Sequence, residues 1–168
     1  TYDANGGTGA PPAEKREGGK SKQLSTQRPT KDRYDFCGWA RTSDATSASW
    51  GPGGYFRMPE EDTTLYAVWA KANYTLTYDA NGGTGAPPAV QRRWDSITTL
   101  STTEPTREGY LFKGWATTNS ATTATYAPGA NFTMPEANTI LYAVWEIKTY
   151  TISYDANGGT GAPSAQTK

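Results

Sequence analysis

Histidine is absent from this 168-residue chain, and cysteine occurs once. Without an imidazole the sequence lacks the usual general base of neutral pH, and no Cys/His cluster exists for zinc. A lone cysteine closes no intramolecular disulfide. Cys37, between Phe36 and Gly38, reads as an outward-facing surface thiol with nothing nearby in the sequence to activate it. An excess of one charge is missing too: 16 Lys and Arg stand against 16 Asp and Glu, with no dense basic run. That leaves no electrostatic footprint for nucleic acid or an anionic membrane. Lys15-Arg16 and Lys20, interrupted by Glu14 and Glu17, read as solvated loop charges, as does Arg92-Arg93. No apolar run is long enough to cross a bilayer. The sequence shows no initiator Met and no signal peptide, so export and anchoring signals are expected outside this stretch. No ten-residue segment carries a 3.6-residue apolar period, so any helix should be short.

What the chain has is a repeat. Tyr-Asp-Ala-Asn-Gly-Gly-Thr-Gly-Ala-Pro begins at Tyr2, Tyr78 and Tyr154, each 76 residues after the last. The register holds in between: Trp39 falls on Trp115, Met58-Pro59 on Met134-Pro135, and Leu65–Trp69 on Leu141–Trp145, with no insertion. The expected domains are 1–70, a first module shortened at its N-terminus; 74–146, a complete second module; and 150–168, a partial third with only its first strand and turn. The linkers are four residues each, reaching at most ~14 Å when extended. Neighbouring modules are therefore expected to form a rod with limited bending.

Each module is small and needs large side chains to build a core. The chain supplies 6 Trp, 11 Tyr and 4 Phe, with 18 Gly and 11 Pro to turn it. In the second module Tyr74, Leu76 and Tyr78 alternate with Thr75, Thr77 and Asp79, the period of a strand with one buried face. Asn81-Gly82 then predicts a tight turn of positive φ. The stretch to about Arg93 reads as loop, Ile97–Leu100 as a short strand, and Tyr110–Trp115 as a strand with aromatics on one side. Leu141–Trp145, apolar on both faces, reads as a central strand. The predicted fold class is mainly β, a small α+β module with little helix.

The opening YTLTYDANGGTGAP, the central GYLFKGWAT, the turn YAPGANFTMPE and the closing TILYAVW together resemble the Listeria-Bacteroides repeat, a module related to the B repeat of internalin-type surface proteins. The resemblance spans essentially the whole chain. It implies a β-grasp-like module strung in tandem on secreted or wall-attached bacterial proteins, as stalks and adhesion regions. It carries over no catalytic residue, and the residues themselves lead to no expected cofactor or metal.

Asp79-Ala80-Asn81-Gly82 and its copies begin like a calcium loop but lack the later acidic ligands, so an Asx-stabilised turn is the better account. The paired Trp39/Trp115 and Trp69/Trp145 lie in strand patterns and read as core. Trp94, with Gly18 in its place in the first module, is the candidate for a ligand contact, glycan or host protein. The segment Tyr150-Thr151-Ile152-Ser153-Tyr154 repeats a first strand without the rest of its fold. It is the candidate assembly strand, adding head to tail onto the incomplete sheet of another copy. The expected function is a non-enzymatic, extracellular stalk or fibre on a bacterial surface. The alternative is an adhesin module.

Overall fold

The computed structural model describes residues 1–167. The chain divides into two compact units, Thr1–Asn73 and a second from Tyr74 onward. Among the described residues there is no helix; the fold is mainly β. The first unit holds β1 (Tyr2–Asp3), β2 (Ser21–Gln23), β3 (Tyr34–Ala40), β4 (Tyr55–Arg57) and β5 (Leu65–Lys71). The second holds β6 (Asn73–Asp79, starting at the boundary), β7 (Val90–Arg93), β8 (Ile97–Thr99), β9 (Tyr110–Ala116), β10 (Asn131–Thr133) and β11 (Thr139–Ile147). The third copy contributes β12 (Thr151–Ile152) and β13 (Gln166–Thr167).

In the second unit the main sheet runs β7-β6-β11-β9. The first and last strands of the module, β6 and β11, lie side by side and parallel, with Leu76 opposite Thr139 and Asp79 opposite Tyr142. β9 pairs antiparallel with the other edge of β11. β8 and β10 form a separate two-stranded ribbon. The first unit repeats this plan with β1-β5-β3 and the ribbon β2-β4, but β1 covers only two residues of its partner, Tyr2 opposite Leu65 and Asp3 opposite Tyr66.

A bulge explains how the aromatics of β9 share one face. Phe112 and Trp115 are three apart, so strict alternation would send them to opposite sides of the sheet. Opposite β9, Val144 faces Gly114 while Trp145 faces Phe112, which leaves Lys113 as the extra residue and resets the phase. The two rings then meet edge to face at 5.0 Å. The same skip at Cys37 joins Phe36 to Trp39 at 5.0 Å. Cys37 is exposed, as the sequence implied. The glycine after each bulged residue is obligatory: Gly114 has φ 126° and its missing Cβ would collide with the Tyr126 carbonyl.

The core of the second unit is built from Leu76, Tyr78, Leu100, Trp115, Phe132, Met134, Leu141 and Ala143. That of the first is Leu24, Trp39, Phe56, Leu65 and Ala67. Trp39 and Trp115 are wholly buried, both at 0% exposure. Trp69 and Trp145 are only half-buried and pack against the core from its margin, a correction to their reading as core rings.

Residues 90–93, read as loop, form β7 at the sheet edge next to β6. A charged four-residue strand without apolar alternation gives no strand signal, yet it suits an edge, where charge deters pairing with other chains. The third copy was expected to lack a partner strand of its own. Instead β12 pairs antiparallel with β13, so one edge of the Tyr150–Tyr154 segment is occupied at Thr151 and Ile152.

Candidate functional site

What recurs in both units is a set of long-range bonds that closes each module around its Asn-Gly turn. The turn is made locally: the Asn81 backbone N–H donates to Asp79 Oδ1 at 2.7 Å, and Asn81 and Gly82 hold φ 49° and 85°. This is the Asx turn the sequence predicts. The Asn81 side chain then reaches across the module. Its Nδ2 donates to the Asn119 carbonyl at 2.9 Å and to the Ala143 carbonyl in β11 at 3.0 Å. In the first unit Asn5 Nδ2 does the same to Ser43 at 2.8 Å and Ala67 at 2.9 Å. One side-chain amide thus fastens the first turn to a loop and to the last strand.

The half-buried tryptophan completes the closure. Trp145 Nε1 donates to the Ala80 carbonyl at 3.0 Å, and Trp69 Nε1 to Ala4 at the same distance. The indole lies so close over the turn that a Cβ on Gly83 would stand 2.6 Å from Trp145 Cζ2 and from the Thr106 carbonyl. Gly7 meets Trp69 and Thr30 identically. These tryptophans are latches, which accounts for their intermediate exposure. A third tie is the phenol of the first strand: the Ser101 N–H donates to Tyr78 Oη and the Ser25 N–H to Tyr2 Oη, each at 3.0 Å.

Of the charges read as solvated, Lys15 and Lys20 are exposed, but Arg16 is not. The Arg16 side chain is 8% exposed. It binds Glu14 at 2.7 Å and donates to the carbonyls of Lys22 and Gln23. Tyr2 Oη donates to Glu14 Oε1 at 3.2 Å. Burial pushes the Glu14 carboxyl up, but the bonds and charge of Arg16, with the Tyr2 hydroxyl, outweigh it and hold the group below its ordinary value. Burial raises the Tyr2 phenol. Arg92, the counterpart of Arg16, is half-buried with its Nε on Thr98 Oγ1 at 2.9 Å.

The linings of the open grooves, by contrast, differ between the units. In the second unit a shallow groove beside Trp145 is lined by Thr122, Thr123 and Ala124, and by Lys113 bonded to Glu146 at 2.9 Å. At the matching positions the first unit has Cys37 for Lys113 and Ala70 for Glu146. The first unit has its own groove where Thr1, Tyr2, Leu24, Met58, Thr63 and Leu65 meet. Trp94 is half-buried in the turn between β7 and β8. The segment Tyr150–Tyr154 is exposed along its length, Ile152 at 57%. Trp94 and this segment lie on separate elements, the one between β7 and β8 and the other after β11. Among the described residues, no three Asp, Glu or Cys side chains are grouped so as to hold a metal.

A mainly β module repeated in tandem, closed by backbone ties instead of built around a pocket, defines the class. The family model of the Listeria-Bacteroides repeat domain matches residues 1–68 and again 74–144. The chain belongs to that family. It is 37% identical over 130 residues, 77% of its length, to a Gly-rich protein of Evansella cellulosilytica named as a membrane protein. It is 34% identical over 119 residues, 68% of its length, to Internalin H of Listeria monocytogenes. The chain spans only 14% of the first relative and 20% of the second. No solved structure matches it. No helix among the described residues is long and apolar enough to cross a membrane.

Proposed function

We propose that these modules are tension-bearing units of a non-enzymatic stalk on the outside of a bacterial cell. The observation that carries the reading is the parallel pairing of β6 with β11. A module in a tandem array is pulled through its first and last strands. Because these two strands are parallel neighbours, the pull loads their hydrogen bonds in shear, and the bonds must give way together. The Asn81 and Trp145 ties cross the same seam between the first turn and the last strand, adding to the set that must break at once. Family membership and the named relatives support a surface repeat protein. The test is directional. Pulling the second unit from Tyr74 and Ile147 should require more force than pulling it from Tyr110 and Ile147. The latter two face each other at the end of the β9–β11 ladder and would unzip one bond at a time. Equal forces in the two directions would remove the mechanical argument.

The stalk reading extends to head-to-tail assembly. Met58 is half-buried where Met134 is covered, at 1% exposure, and Ile152 holds the sequence position of Leu76, which fills that place in the second unit. Adding the Tyr150–Tyr154 strand of one copy ahead of β1 in another, with Ile152 opposite Thr63 as Leu76 is opposite Thr139, would cover Met58, a heterologous contact that propagates. Deleting residues 150–168 should abolish filaments in the electron microscope; a full chain that stays monomeric at high concentration sinks this extension. The adhesin alternative draws on the groove at Trp145, an indole beside hydroxyls and an ion pair, and on Trp94. Binding of the chain to a glycan array, lost in Trp94→Ala or Lys113→Ala, would favour it over the stalk.

A further inference from the structure

We propose that the three Asn-Gly pairs are deamidation sites gated by folding, with Asn157 open to the reaction and Asn5 and Asn81 closed to it while their modules stay folded. The chain contains its own control. All three pairs sit in the same ten-residue sequence, so their intrinsic reactivity is alike. The local turn is alike as well: the asparagine φ values are 49°, 49° and 45°, those of the following glycine 83°, 85° and 90°. In each copy the asparagine N–H donates to the preceding Asp Oδ1 at 2.7 Å. Only the side-chain amide differs. Asn5 and Asn81 are half-buried and each commits Nδ2 to two backbone carbonyls. Asn157 is exposed, and among the described residues its Nδ2 has no acceptor.

The chemistry needs nothing beyond water. The Gly158 backbone nitrogen attacks Cγ of Asn157, and glycine, having no Cβ, offers the least obstruction to that approach. The new N–Cγ bond closes a cyclic imide while the Cγ–Nδ2 bond breaks. The proton lost from the glycine nitrogen leaves on Nδ2 as ammonia. Water then adds to either ring carbonyl and reopens the ring to aspartate or isoaspartate. For Asn5 and Asn81 the side chain cannot turn Cγ toward the glycine nitrogen without giving up both bonds to its carbonyls, so the reaction waits on local opening of the module. The product also blocks the way back. A carboxylate at Asn81 would set acceptor oxygen against the acceptor carbonyls of Asn119 and Ala143, with no donor between them. A module that opens long enough to react is thereby marked covalently and cannot close as before.

The test is site-resolved mass spectrometry of the full chain held in mildly alkaline buffer, following the amide-to-acid mass gain at each pair. Under native conditions Asn157 should react roughly tenfold or more faster than Asn5 and Asn81, the protection expected from two hydrogen bonds that must open first. In urea the three rates should converge. Trp115→Ala, which loosens or unfolds the second unit, should accelerate Asn81 toward the Asn157 rate and leave Asn5 slow. Equal native rates at the three sites overturn the proposal, as does a gap between them that persists in urea.

Discussion

The two units share a plan and differ most at the first strand. In the second, β6 runs seven residues, four of them registered against β11, and places Leu76 at 0% exposure in the core. In the first, β1 pairs at two positions, Tyr2 with Leu65 and Asp3 with Tyr66. Two further differences lie beside the first strand. Met58 is partly uncovered, and the polar group of Tyr2, Glu14 and Arg16 occupies the side where β7 flanks β6 in the other unit. The comparison teaches that the parallel first strand is part of the core as well as of the sheet.

The largest effect should separate the two tryptophans of one module. Trp115→Ala removes a wholly buried ring and should destabilise the second unit by about 3–5 kcal/mol. Trp145→Ala removes a half-buried latch and its bond to Ala80, and should cost measurably less in the same urea titration. Equal losses would mean that the latch carries as much of the fold as the core ring. Next comes the glycine beneath the latch. Gly83→Ala forces a methyl against Trp145 and Thr106 and should cost about 1–3 kcal/mol by overpacking. Gly159→Ala, where only the Ala156 carbonyl lies near, should change stability by no more than about 0.5 kcal/mol. A mild Gly83 variant would show that the indole can retreat at little cost.

The smallest effect is a pH dependence confined to the first unit. The Glu14 carboxyl is held below its ordinary value when folded, so it contributes stability above the unfolded carboxylate range. That stability is lost as pH falls through the lowered folded value. The second unit has Val90 at this position and should show no matching loss. Acid melting curves of the chain and of Glu14→Gln compare the two directly. If the variant leaves the acid loss of the first unit unchanged, the Glu14–Arg16 pair is not its source.

Much of this architecture was legible from residues alone because the repeat doubles every signal. The alternation at Tyr74–Tyr78, the Asx turn at Asn81 and the apolar strand at Leu141–Trp145 are local patterns, and each landed in the expected element. What was hidden is non-local. No residue pattern says that β6 lies parallel to β11, since both edges of a strand look the same in sequence. The bulges at Cys37 and Lys113 showed only as aromatics three apart beside a glycine. The reach of Asn81 to Ala143 spans most of a module, and the turn accounts for the asparagine on its own. Arg16 looked solvated because Glu14 stands in the same charged run and its other acceptors are backbone carbonyls, which every residue carries.

The most direct test of the central claim is single-molecule extension of the full chain through its ends. The account predicts two unfolding events of different strength: the first unit, with two residues paired across its parallel seam, yields at lower force, and the second, with four, yields later. Leu76→Ala should bring the second event down toward the first. Two events of equal force, or a first unit that outlasts the second, would contradict the claim that the parallel terminal strands bear the load.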